Sequence, residues 1–188
     1  MTSKAPKILA ICGSLRKHSN SLAILETLAE QLKDKAVFEI LRLDDVPLYN
    51  QDLDTPEPLP GVAALRAAIG AADGILIMTP EYNYGLPGVL KNALDWASRP
   101  YAKSTLAGKP VLSVSSSPAF TGGVRALAQL NETLLAIGAR IVPGPQVVIG
   151  SAHEKIHEGR LVDAAVLNFL SQSLEGLFLE IKRLAVKP

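Results

Sequence analysis

Residues 13 to 21 read GSLRKHSNS and crowd polar donors into one short stretch. Ser14, Ser19, Asn20 and Ser21 bring small side-chain donors. Arg16 brings a forked cation whose geometry suits phosphate oxygens. An apolar run ends just before this stretch, and apolar residues at helical spacing begin just after it. A helix starting near Asn20 adds unpaired backbone N–H groups and the positive end of its dipole. A strand-to-helix corner of this composition is suited to an anion. The plainer account is that Ser and Asn cap helices well, and every such corner needs one cap. Four of them plus Arg16 exceed what a cap requires.

Two common nucleotide signatures are missing. There is no G-x-G-x-x-G and no G-x-x-x-x-G-K-[ST], so neither the dinucleotide fingerprint nor a P-loop is present. What remains suits one terminal phosphate, such as that of FMN. Cys12 ends the apolar run and reads as a small buried thiol. A C-x5-R phosphatase loop starting there needs an arginine at position 18, which is His18. His18 has no acidic residue or second histidine beside it and reads as a solvated loop residue.

Two further stretches carry the same character. Residues 79 to 88, TPEYNYGLPG, hold Pro80, Glu81, Tyr82, Asn83, Tyr84 and Gly85. Such a loop can lie along a flat ring and read its edge with backbone groups, and Gly85 permits a close approach or a positive φ. Residues 115 to 123, SSSPAFTGG, supply Ser116, Ser117, Gly122 and Gly123, small residues that admit a bulky ligand.

The elements that must position these stretches follow from periodicity. Strands are expected at Lys7 to Cys12, from Ala36, at Asp73 to Pro80, at Lys109 to Ser117 and, interrupted by Pro143 and Pro145, near Arg140 to Ile149. Helices are expected between them, with Gly138 as a stop signal and a last helix from Leu161 to Lys187. The proline-rich stretch from Asp44 to Gly61 reads as a long loop. The strands are rich in Ile, Val and Leu without polar alternation, which implies burial on both faces and a parallel sheet. Right-handed crossovers then give an α/β, three-layer, doubly wound fold with five strands in the flavodoxin-like order 2-1-3-4-5. Its switch point lies between the first and third strands, and ligands bind outside the carboxyl ends there. The three polar stretches are the three corners at that edge.

Bulk numbers narrow the class. The chain has 188 residues, 48% hydrophobic and 20% charged, as one globular domain would. A net charge of +1 offers no electrostatic case for nucleic acid or an anionic membrane. One cysteine excludes an intrachain disulfide, and no apolar stretch reaches the roughly 18 residues of a spanning helix. A cytoplasmic protein is the expectation. His153 and His157 have helical i, i+4 spacing but sit in a polar connection with no further ligand in view, so no metal site is expected.

Taken together, GSLRKHSNS, TPEYNYGLPGVLKNALDW and SSSPAFTGGVRA resemble the NADPH-dependent FMN reductase family, in its branch of bacterial quinone and chromate reductases. The resemblance implies a flavodoxin-like fold, bound FMN, and hydride transfer from NADPH or NADH to quinones or similar small acceptors. It implies that Ser14, Arg16, Ser19, Asn20 and Ser21 hold the phosphate. Pro80, Glu81, Tyr82, Asn83, Tyr84 and Gly85 wrap the isoalloxazine, and backbone N–H groups of residues 82 to 85 stabilise negative charge on it. Ser116 and Ser117 close the third side, while Gly122 and Gly123 keep it open. No side chain is implied as an essential acid or base. A homodimer or homotetramer is implied, with the region of Trp96 near a subunit junction, although a tryptophan on a helix's apolar face also reads as core. Arg99 and Arg125 lie near the expected mouth, and Phe120 is bulkier than the family's usual residue there. An FMN-binding electron carrier is the alternative, disfavoured because such carriers are strongly acidic. A flavin-free phosphatase or phosphate-binding protein leaves the PEYNYG stretch without a role.

Overall fold

A computed structural model describes residues 5–185. The first half of the chain forms β1 (Lys7–Cys12), α1 (Asn20–Gln31), β2 (Val37–Leu41), α2 (Pro60–Ala71), β3 (Gly74–Thr79) and α3 (Gly88–Ala97). The second half forms β4 (Pro110–Ser116), α4 (Val124–Ile137), β5 (Arg140–Ile141), β6 (Val147–Ile149), β7 (Ile156–His157), β8 (Arg160–Leu161) and α5 (Ala164–Ala185).

The main sheet runs β2-β1-β3-β4-β5, all parallel, as the periodicity requires. The last strand is split. β5 pairs with the start of β4 and β6 with its end, on either side of Pro143-Gly144-Pro145. β3 and β4 are buried along their whole length, which fits strands covered on both faces. Even-numbered β1 residues Ile8, Ala10 and Cys12 face one apolar cluster with α1 and α5. Odd-numbered Leu9 and Ile11 face the other, built with α2, α3 and α4. This alternation makes the three layers. Each fully buried Leu or Ile contributes about 1.5–3 kcal/mol.

The helix signals are as expected in two places. Ser19 is the N-cap of α1, and Gly138 ends α4 in the left-handed region with φ 86°. Pro60 and Gly61, read as the end of the long loop, instead form the first turn of α2, where proline's missing N–H costs little. The last helix departs from expectation. Leu161 is not helical; it pairs with Ile156 in a β7–β8 hairpin, and α5 starts at Ala164. That hairpin replaces the solvated connection the polar composition suggests. It docks on α1 through the Leu161 amide, which donates to Thr27 Oγ1 at 3.1 Å. Val186 and Lys187, included in the expected helix, lie outside the described residues.

The long loop before α2 is anchored. The Pro47 carbonyl accepts from both Asn92 Nδ2 and Trp96 Nε1 at 2.8 Å, and Asn92 Oδ1 accepts from the Tyr49 amide at 2.7 Å. Trp96 is core, 1% exposed, with the Tyr49 ring edge-on at 4.9 Å.

Candidate active site

β1, β3 and β4 end side by side, so their three following corners share one edge of the sheet. At the first corner the Gly13 amide donates to Met78 O at 2.8 Å. A Cβ at Gly13 would lie 3.0 Å from both Met78 O and Leu90 Cδ2, so this close approach favours glycine. Ser14 and Ser19 are buried. Ser19 Oγ accepts from the Leu22 amide, as a cap does. The amides of Asn20 and Ser21 precede the first intrahelical bonds, as at any helix N-terminus. A cavity of about 270 Å³ opens beside this turn, lined in part by Lys17, Ser19 and Asn20.

The corners are joined by hydroxyl pairs. Ser14 Oγ lies 3.3 Å from Tyr82 Oη, linking the first corner to the second. Ser21 Oγ lies 3.2 Å from Ser116 Oγ, linking the first to the third, and both serines are buried. Ser117 Oγ accepts from the Ala119 amide, turning the chain away from β4. Arg16 is exposed, and its guanidinium folds back onto the His18 carbonyl at 3.2 Å. The Cys12 thiol is held above its usual range by burial, which suits the inert reading.

The second corner is a two-residue hairpin. The Tyr82 amide donates to Gly85 O at 3.1 Å, and the Gly85 amide donates to Tyr82 O at 2.9 Å. Positive φ falls on Asn83 (50°) and Tyr84 (63°), not on Gly85. The two outer residues are therefore paired amide to carbonyl, and the amides of Asn83 and Tyr84 lie between them at the turn. Tyr82 and Tyr84 are exposed. Glu81 differs from its expected part along the ring. Its carboxylate Oε2 accepts from the Arg125 and Ala126 amides, each at 3.0 Å, at the start of α4.

The glycine pair of the third corner also differs from expectation. Gly122 and Gly123 have φ 64° and 86°. A Cβ on Gly122 would come 2.3 Å from Val148 Cγ1, and one on Gly123 3.2 Å from Glu81 Cβ. They permit tight backbone packing rather than keeping a side open. Phe120 next to them is 89% exposed.

Several residues here escape sequence reasoning. Arg42 Nη2, beyond β2, donates to Leu15 O at 2.8 Å and so pins the first corner from the side. Asp44 aligns it, accepting from Arg42 Nε at 2.9 Å. Gln129 Oε1 accepts from the Leu86 amide at 2.8 Å. Ser115 is fully buried, and its hydroxyl makes no hydrogen bond among the described residues. Only the adjacency of Arg42 and Asp44 at a strand end, and the run of three serines, hint at any of this. Arg99 sits over the Tyr49 ring, 5.7 Å from its centroid, while Arg125 sits over Tyr84 at 4.4 Å. Among the described residues no group of three or more potential metal ligands occurs.

Residues 6–154 match the NADPH-dependent FMN reductase family. The chain belongs to that family. Membership makes it an oxidoreductase that works with a reduced nicotinamide and FMN, as the resemblance implied. It is 37% identical to an NAD(P)H-dependent FMN reductase of Pseudomonas aeruginosa over 95% of this chain and 96% of that one. It is 35% identical to a quinone reductase of Escherichia coli over 96% and 97% of the two chains. The solved structure of FerB, a flavoenzyme NAD(P)H:(acceptor) oxidoreductase from Paracoccus denitrificans, superposes with a TM-score of 0.84. That match has 32% identity and covers 95% of this chain and 98% of FerB. The flavodoxin-like order of the family's sheet is the order found here.

Proposed function

We propose that the protein reduces quinones and similar small acceptors, chromate among them, using NADPH or NADH and an FMN seated where the three corners meet. The joining of those corners by Ser14–Tyr82 and Ser21–Ser116 at the carboxyl edge of β1, β3 and β4 is the observation that carries this reading. The residues fit the group. The first turn of α1 suits a phosphate, the Asn83 and Tyr84 amides can meet a ring edge, and the orphaned Ser115 hydroxyl lies buried at the same edge.

On this reading Ser14, Arg16, Ser19, Asn20 and Ser21 shape the phosphate corner. The α1 amides and Asn20 carry it, because Ser19 caps α1, Ser21 pairs with Ser116, and Ser14 is engaged with Tyr82 and the Arg16 amide. Arg16 reaches the phosphate by leaving the His18 carbonyl. Pro80, Tyr82, Asn83, Tyr84 and Gly85 flank the ring, and Ser116, Ser117, Gly122 and Gly123 form the wall opposite. Bound FMN supplies the capacity to accept a hydride and pass two electrons onward. The chain binds and orients it, and the Asn83 and Tyr84 N–H groups oppose negative charge at the ring. We read the whole chain as one FMN-binding domain, supported by helices that all pack on one sheet. No helix among the described residues is long and apolar enough to cross a membrane. A cytoplasmic location is part of the proposal.

The test is an absorption spectrum of the purified protein before and after NADPH is added without oxygen. Flavin bands that fall within seconds are expected. Flavin bands that NADPH leaves unchanged would overturn the reductase in favour of a carrier. Absence of flavin, with no uptake of added FMN, would overturn the cofactor assignment.

A further inference from the structure

We infer that Glu81 is a positioning residue, through which α4 holds the hairpin of residues 82 to 85 in a backbone conformation its own sequence disfavours. A two-residue hairpin with positive φ at both central positions favours Asn-Gly there. Here those positions are Asn83 and Tyr84, and glycine comes one residue too late, at Gly85. An aromatic residue in the left-handed region is strained and persists only where its surroundings fix it.

Three ties fix it, and all come from α4. The Glu81 carboxylate, adjoining the hairpin, accepts from the Arg125 and Ala126 amides. It thereby supplies the cap that Gly123, the N-cap residue, has no side chain to make. A carboxylate at a helix N-terminus also meets the positive end of the dipole. Arg125 lies over the Tyr84 ring, 4.4 Å from its centroid, so the strained side chain is held by the same turn. Gln129, one turn on, accepts from the Leu86 amide on the far side of the hairpin. The backbone of α4 comes close because Gly123 has no Cβ to press on Glu81. The ring-facing amides of Asn83 and Tyr84 are thus aimed by α4, not by local turn chemistry. That last step rests on the cofactor reading above; the clamp itself does not.

The test is amide hydrogen exchange by NMR on the full chain without cofactor, with a separate FMN titration. In Glu81→Ala, exchange at the Gly85 amide should quicken about tenfold or more, as a held hairpin opens. Adding Tyr84→Gly to that variant should restore Gly85 protection, because glycine relieves the strain the clamp opposes. If Glu81→Ala does not fold, Glu81→Gln and Gln129→Ala carry the same expectation in smaller measure. Faster exchange confined to Arg125 and Ala126, with Gly85 unchanged, would overturn the clamp and leave Glu81 as a helix cap only. In Glu81→Ala the FMN dissociation constant should rise about tenfold, one displaced contact's worth. A wild-type chain that takes up no FMN would sink the cofactor reading, while Gly85 exchange would still decide the clamp.

Discussion

Arg42 shows how much one side chain outside the recognised motifs can govern. It donates to the Leu15 carbonyl in the middle of the first corner, and Asp44 holds it from behind. Replacing it with alanine should weaken FMN binding about tenfold, a typical loss for one charge-assisted hydrogen bond. A fluorescence titration measures this. The Asp44 carboxyl is held below its usual range by its hydrogen bond to Arg42. The sign follows. A depressed carboxyl contributes fully above the ordinary Asp range and loses that contribution as pH falls through the folded value. FMN retention should therefore drop in acid below about pH 4. Asp44→Asn should bind FMN more weakly at neutral pH and lack that part of the acid drop. A titration showing the same acid profile for both proteins would contradict this role.

At the scale of elements, the loop between β2 and α2 illustrates order with little regular structure, a single 3-10 turn at Gln51–Leu53. Its sequence mixes prolines and polar residues with scattered apolar ones that show no period, yet α3 grips it at Pro47 and Tyr49 through Asn92 and Trp96. Arg66 of α2 adds an ion pair to Asp54 at 2.8 Å. Asn92→Ala removes one donor and one acceptor and should cost about 1–3 kcal/mol. A thermal melt reads this as a lower midpoint, about 2–4 °C per kcal/mol for a chain of this size. The central strands were legible because burial on both faces leaves a mark at every residue, and most helices because one buried face recurs at helical spacing. The three corners of the candidate site were legible as corners, because small and polar residues concentrate there after apolar runs. The contacts of Arg42 with Leu15, Gln129 with Leu86 and Glu81 with α4 were not, since those partners lie 27 to 45 residues away and local pattern does not reveal them. The β7–β8 hairpin was missed because strands of two residues are too short to show a period.

For the whole molecule, the near-neutral charge fits a protein that meets small acceptors rather than a charged macromolecule. Leu48, Tyr101 and Phe120 are each at least 85% exposed, apolar side chains on the outside of a chain with an ample core. Self-association is what the family resemblance implies. Light scattering should give at least twice the 20.0 kDa chain mass, and a value of one chain mass would refute it. A sheet edge made of two short pieces, with Pro143 and Pro145 between them, presents no continuous row of free backbone groups. On that side the sheet cannot be lengthened by a strand from another chain, so the protein is guarded there against ordered aggregation when it is crowded or partly unfolded.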